Sequence, residues 1–553
     1  MSTLLFLLAM LAVPSLATAA ACPGSGLAYS CPAGTTPATV QDTITAASDG
    51  ATISFAAGSY TWGSAAFYID GTKGVTLQGA GIDQTIVTVE SPGGVCCSNG
   101  HFSGTVTKAY RITGFTFQDA PANVVTFVWS GTAGAKLTNL RIDHNKFKDF
   151  GSNNLVFGLG HNSSGGVLGS QVLGVADHNE FVGTSANFGL FKILGIGTAD
   201  FLSIPQTSTV RGTDQNFFIE DNSMDMIVNT GSSIPCVDVW SAGTVVVRFN
   251  YIHNCVVGGH GTVHQGGPVN WELYGNVSAR DAGSIDVIIR EGYRIWDNHG
   301  AWESYVWNNT VQHIGTLQTE VFSLQHSRSA DMVESFGAEF IPPDRCDGNT
   351  ATRDGNLSVG SPYYGYPCWG QPGRAPANGS PVWGTLAPVY VWKNIDGSNG
   401  DSKIDMIVAN PFSTNQPPSA LDHVVEGRDM YNAVSKDAQT SATSPFDGTT
   451  GVGFGTLANR PTTCTHTTSP DGDDGGGVAY WATDQGSWNQ SSSNPQGVNV
   501  AGADGVLYRC SATNTWTAHY TPYTYPHPLQ GVVAQSGSAS SGSMSLTGSV
   551  TMQ

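Results

Sequence analysis

The stretch from Cys236 to Gly292 constrains the fold more than any other part of the chain. It reads CVDVWSAGTVVVRFNYIHNCVVGGHGTVHQGGPVNWELYGNVSARDAGSIDVIIREG, with short β-prone runs between Gly and Asn turns. The pattern returns with a period in the twenties, and Asp238, His264 and Arg290 stand 26 residues apart each time. An interval of that size marks a repeat architecture in which each unit contacts mainly its neighbours. If successive turns stack, these three side chains form one column on one face.

The same unit recurs from about Arg111 to Arg328. One run in each unit ends at an Asn: Asn145, Asn179, Asn222, Asn250, Asn276 and Asn309. A second run follows: LVFGL, LFKIL, CVDVW, GTVHQ, VIIRE and FSLQH. Asn suits a repeated corner, because it tolerates left-handed backbone and its amide can bond to the backbone or to the next Asn. Extra residues from Gly197 to Gln215, and the segment RIWDNHGAWES after Arg290, read as insertions walling a groove. Past Arg328 the pattern breaks into an irregular excursion over 329–390. VYVWKN, IDMIVA and HVVEGRDMYN then resume as β-runs, which puts the solenoid at 20–435. Residues 436–530 read as a small β-rich cap and 531–553 as a disordered Ser/Gly tail.

Bulk composition agrees with an all-β chain. With 553 residues the protein is too long for one ordinary globular core, so an elongated repeat is favoured. Charged residues make up 12% and 69 residues are Gly, which suits strands joined by tight turns rather than disorder. The net charge of −19 disfavours nucleic acid, whose phosphates need a basic surface. Residues 1–19 read as a secretory signal peptide, with an apolar core from Leu4 to Val13 too short to span a bilayer and a small-residue site at Ala17-Thr18-Ala19. No later run is long enough for a membrane span, so a secreted, extracellular or periplasmic monomer is expected. Ten cysteines fit an oxidising compartment. Local spacing suggests Cys22 with Cys31, Cys236 with Cys255, Cys346 with Cys368 and Cys464 with Cys510, leaving Cys96 and Cys97 adjacent.

The entry to the repeat carries a resemblance. Thr39 to Ser48 has helical periodicity, with Val40, Ile44 and Ala47 on one face. GATISFAAGSYTW and VTLQGAGIDQTIV follow. A short helix, a β-run ending in Gly-x-Tyr, and V-x-L-x-G-x-G together resemble the start of right-handed parallel β-helices of the pectin-lyase-like superfamily. The resemblance implies an all-β, right-handed parallel β-helix whose helix covers the open strand edges of the first coil.

Strand parity then selects outward side chains. Val237 and Val239 suit the interior, so Asp238 faces out; by the same rule Lys192 faces out between Phe191 and Ile193. Applied to HGTVHQ and DVIIRE, parity turns His260, His264, Asp286 and Arg290 outward. The expected column is therefore Lys192, Asp238, His264 and Arg290, one residue per coil at about 4.8 Å. That set suits β-elimination of a uronic-acid polysaccharide. Lys192 or His264 is the candidate base, and Arg290 would grip a carboxylate in bidentate fashion. Asp238 with Asp286 is the candidate pair for Ca²⁺, the only cofactor considered. His260, Asp286, Glu291, Trp240 and Trp302 are the candidate substrate-binding residues, and Trp307 is also placed near the groove. Two other readings compete. Gly212-Thr213-Asp214, Asp238, Gly259-His260-Gly261 and Arg290 follow the motif order of polygalacturonases, although Glu291-Gly292 departs from it and parity puts Asp214 on another face. A non-catalytic glycan-binding or adhesive β-helix would show the same outward polar ladder as plain solvated surface.

Overall fold

A computed structural model describes residues 21–531 apart from 64–66, 90–97, 120–124, 151–154, 161–169, 184–188, 196–209, 227–235, 241–242, 260–267, 282–293, 300–302, 315–319, 326–372, 378–379, 397–405, 410–424, 434–445, 469–474 and 492–503. The signal-like leader and the Ser/Gly tail lie outside the described residues.

The chain winds through three long sheets in strict rotation. The coil holding Lys136–Asp143, Lys146–Lys148 and Leu155–Leu159 illustrates the order, with one strand in each sheet. Each strand pairs in parallel with its equivalent one coil before and one coil after. Among the described residues the first sheet has 13 strands and the second and third have 10 each. This is a parallel β-helix, as the repeat predicts. The helix Pro37–Ala46 lies at its N-terminal end, capped by Thr36 and burying Val40, Thr43 and Ile44. It starts and ends two residues earlier than its periodicity suggests, because Pro37 suits the first helical turn.

The interior is built from side chains stacked coil on coil. Phe127, Phe157 and Phe191 stack at 5.2 and 5.1 Å, and Phe117, Phe147 and Phe181 at 5.4 and 5.0 Å. The corner between the first and second sheets is a two-residue turn that repeats. Its second residue is Asn145, Asn179, Asn222, Asn250, Asn276, Asn309 and, beyond the six expected, Asn394. Each of these amides except the last donates to the next Asn Oδ1 at 2.9–3.1 Å. The left-handed residue is not the Asn but the one before it, as at His144, His178, Asp221, Phe249 and Asn308. The Asn instead bonds inward, since a buried amide must satisfy both of its ends. Asn250, for example, also donates to the carbonyls of Ile219 and Arg248. Asn250→Ala should cost about 2–4 kcal/mol, because several buried backbone groups lose partners together. Chemical denaturation of the purified variant would measure it.

Spacing along the Asn ladder is uneven, at 34, 43, 28, 26, 33 and 85 residues. The constant interval of 26 is therefore not the coil repeat. Three disulfides match the expected local pairs: Cys22–Cys31, Cys236–Cys255 and Cys464–Cys510. Cys96, Cys97, Cys346 and Cys368 lie outside the described residues. No helix among the described residues is long and apolar enough to cross a membrane.

The C-terminal unit does more than close the end. Its four-stranded sheet joins Val452–Gly455, Ala479–Ala482, Val506–Ala512 and Thr515–Tyr520. The chain after it runs back along the outer face of the first sheet. Trp307 lies wholly buried there, stacked on Tyr274 and Trp392 and packed against Trp481 and Trp488. That placement corrects the expectation of Trp307 near a groove. An outward face bearing such aromatics would cost heavily in water, so the chain covers it with its own C-terminus.

Candidate functional site

The three faces of the helix differ in what surrounds them. From Arg141 onward the first sheet is covered by the C-terminal unit. The second is joined to the first by two-residue corners. The third carries the long connections: 160–170, 195–216 and 260–269 leave it, and 227–236 and 282–293 enter it. The third sheet, which these connections enter and leave and which carries Lys192 and Asp238, is the candidate site.

Parity holds on this floor. Phe191, Ile193, Val237 and Val239 are buried in the core, and Lys192 pairs directly with Asp238 across the parallel ladder. Asp238 is buried and Lys192 half-buried. Burial lowers the Lys192 amine below the ordinary lysine range, while the charge of Asp238 pulls it back upward. The pair sits between two glycines, Gly158 on the coil before and Gly258 on the coil after. No side chain projects from the floor at either neighbouring position.

Beyond Asp238 the expected column is corrected. The strand of the next coil is Val257–Gly259, not GTVHQ, and Gly258 takes the ladder position expected of His264. The strand after it is Arg294–His299, so Asp297 takes the position expected of Arg290. RIWDNH is thus a coil strand rather than an insertion. The register shift has a local cause. Asn254 turns left-handed right after Tyr251–His253, and Cys255 is tied to Cys236, so the chain enters the third sheet at once. Ser323 follows Asp297 along the ladder. Asp297 and Ser323 were missed because runs such as VGG carry no alternation to read.

The remaining candidates divide plainly. His260, His264, Asp286, Arg290, Glu291 and Trp302 lie outside the described residues, and with Asp286 goes the Ca²⁺ pair. Trp240 ends the strand of Asp238, opposite Leu194. Gly212-Thr213-Asp214 is not on the third sheet. It belongs to a turn packed against the first sheet and the C-terminal unit, in line with the parity argument that separated Asp214 from Asp238.

A second polar cluster lies on the outer face of the first sheet. Arg111 grips Asp143 through two bonds of 2.7 and 2.6 Å, and Arg141 grips Asp177 at 3.0 and 2.9 Å. His144 and His178 stack at 4.8 Å and each contacts the preceding carboxylate. Burial works against the Asp143 anion, but Arg111, His144 and Arg141 hold its carboxyl below the usual range. Ligand atoms of Asp143, His144 and Asp177 fall within 4.8 Å of one another. Their carboxylates are already engaged by two guanidiniums, so a cation would compete with fixed positive charge.

Comparison with family models finds no match for this chain, and a search of curated proteins finds none either.

Proposed function

We propose that the protein is a secreted carbohydrate-active β-helix that cleaves a uronic-acid polysaccharide by β-elimination over the third sheet. The observation that carries this reading is the desolvated Lys192, paired with Asp238 on a floor kept open by Gly158 and Gly258. A lysine with a lowered pKa has a larger neutral fraction and can accept a proton. In the proposed step Lys192 takes the proton at C5 of the uronate. The C5–H electron pair forms the C4=C5 double bond, the C4–O bond breaks, and the leaving oxygen takes a proton from water. Asp238 steadies the ammonium that forms. The helical cap and three-sheet winding also support membership of the pectin-lyase-like superfamily, and the disulfides support an oxidising, extracytoplasmic location.

A second reading has its own observation. Asp238 and Asp297 occupy the same ladder position two coils apart, about 9.6 Å at the usual strand spacing. Inverting glycoside hydrolases use two carboxylates about 6.5–9.5 Å apart, and this reading takes Asp238 and Asp297 as that pair. One screen distinguishes the readings. Pectate, alginate and neutral glycans are each incubated with the protein, with and without a chelator. Unsaturated products absorbing near the ultraviolet edge support elimination. Reducing ends without that absorbance sink it in favour of hydrolysis. Retardation in glycan gels with neither product sinks both in favour of a binding protein.

A further inference from the structure

The Gly212-Thr213-Asp214 motif is unused by either reading, yet its surroundings are specific. The connection 195–216 leaves the strand that carries Lys192, and its described end, Val210–Asn216, is fastened against the first sheet and the C-terminal unit. Three elements meet there on one side chain. Glu272, wholly buried on the first sheet, accepts from the Gly212 amide and Asn270 Nδ2, both at 2.9 Å, and from the Tyr520 hydroxyl at 2.6 Å. Asn270 Nδ2 also donates to Asn216 Oδ1 at 2.8 Å, and Arg211 Nε donates to the His519 carbonyl at 3.0 Å. Gly212 is left-handed, with φ of +63°, and a Cβ there would lie 1.9 Å from the Thr521 carbonyl oxygen. Only glycine permits both the turn and the contact.

We infer that the turn Val210–Asn216 is the docking site for the chain's own C-terminal unit, and that Glu272 couples the two. The C-terminal unit thereby sets where the connection leaving the Lys192 strand re-enters the solenoid. Glu272 is a positioning residue, since it touches neither Lys192 nor Asp238. Its three donors are neutral, and burial raises its carboxyl above the ordinary range. Each donor therefore matters to a carboxylate held out of water.

Tyr520→Phe in the full chain removes one donor without touching the turn. Hydrogen exchange should rise together in 210–216 and 515–531, by about tenfold to a hundredfold, the range expected for a bond to a charged group. Strands 155–159 and 237–240 should keep their protection. Glu272→Gln retains one acceptor oxygen and should give a smaller rise in the same two segments. Exchange that rises in 515–531 alone, or equally throughout the chain, overturns the coupling. Gly212→Ala should reproduce the Tyr520→Phe pattern if it folds, and unchanged exchange in 515–531 would count against the inference. The link to chemistry rests on the Lys192 reading: there, Tyr520→Phe lowers kcat without moving the pH midpoint of Lys192. A wild-type protein that cleaves nothing, with coupled exchange intact, removes the lyase reading and leaves the docking in place.

Discussion

Lys192→Met is expected to lower kcat by about 10²–10⁴-fold, the usual contribution of a positioned general base. Met matches the length of the side chain and fills its half-buried site, so the strand from Gly189 to Leu194 should fold as before. The pH profile is the sharper measure. A neutral amine is the active form, so kcat/KM rises with pH through the Lys192 midpoint and is lost as pH falls below it. Burial sets that midpoint below the ordinary lysine range, against the opposing pull of Asp238. Asp238→Asn removes the opposing charge and should move the midpoint further toward acid. A midpoint that stays in place in Asp238→Asn, or a Lys192→Met enzyme of wild-type rate, would sink the assignment. The hydrolase reading forecasts the opposite dependence, with Asp238→Asn and Asp297→Asn each abolishing turnover and Lys192→Met mattering less.

The largest structural effect should come from Arg248. Its side chain is wholly buried and pairs with Glu220, which is also wholly buried. It also donates to the Tyr274 hydroxyl at 3.0 Å and to the carbonyls of Tyr523 and Thr524 at 2.7 and 2.9 Å. On the other side Glu220 accepts from the His527 amide and Gln530 Nε2. One ion pair thus joins two adjacent coils to the returning C-terminal segment. Arg248→Met should destabilise the protein by about 3–5 kcal/mol, because Glu220 is left as a buried charge without its partner. Arg248→Met combined with Glu220→Gln should recover much of that loss, since no charge is then stranded. Denaturant midpoints of the two single variants and the double variant measure both effects. A double variant as unstable as the sum of the singles would show that packing, not charge, is what Arg248 supplies.

These two sites differ in how they can be read from the chain. Lys192 and Asp238 lie in LFKIL and VDVW, where apolar residues alternate cleanly, so parity alone points both outward and stacks one on the other. The Asn ladder is legible for a similar reason: each corner is a two-residue device, complete within its own few residues. The next rung fails because Val257–Gly259 has no alternation, and its register follows from the Asn254 corner and the Cys236–Cys255 bond. Equal spacing of Asp238, His264 and Arg290 could not compensate, since coil length varies with every inserted loop.

The sequence by itself therefore determined the repeat, the β-helix, the capping helix, the three local disulfides and the Lys192–Asp238 pair. All depend on interactions between near neighbours or on a period. Tertiary structure alone decided that Asp297 and Ser323 continue the ladder, and that Trp307 and Arg248 lie beneath a returning C-terminus rather than facing a groove. The same holds for Glu272, which ties a turn to a segment 248 residues away from it. Such contacts leave no local pattern: a buried glutamate on a strand looks like a solvated one until the donors that surround it are in place.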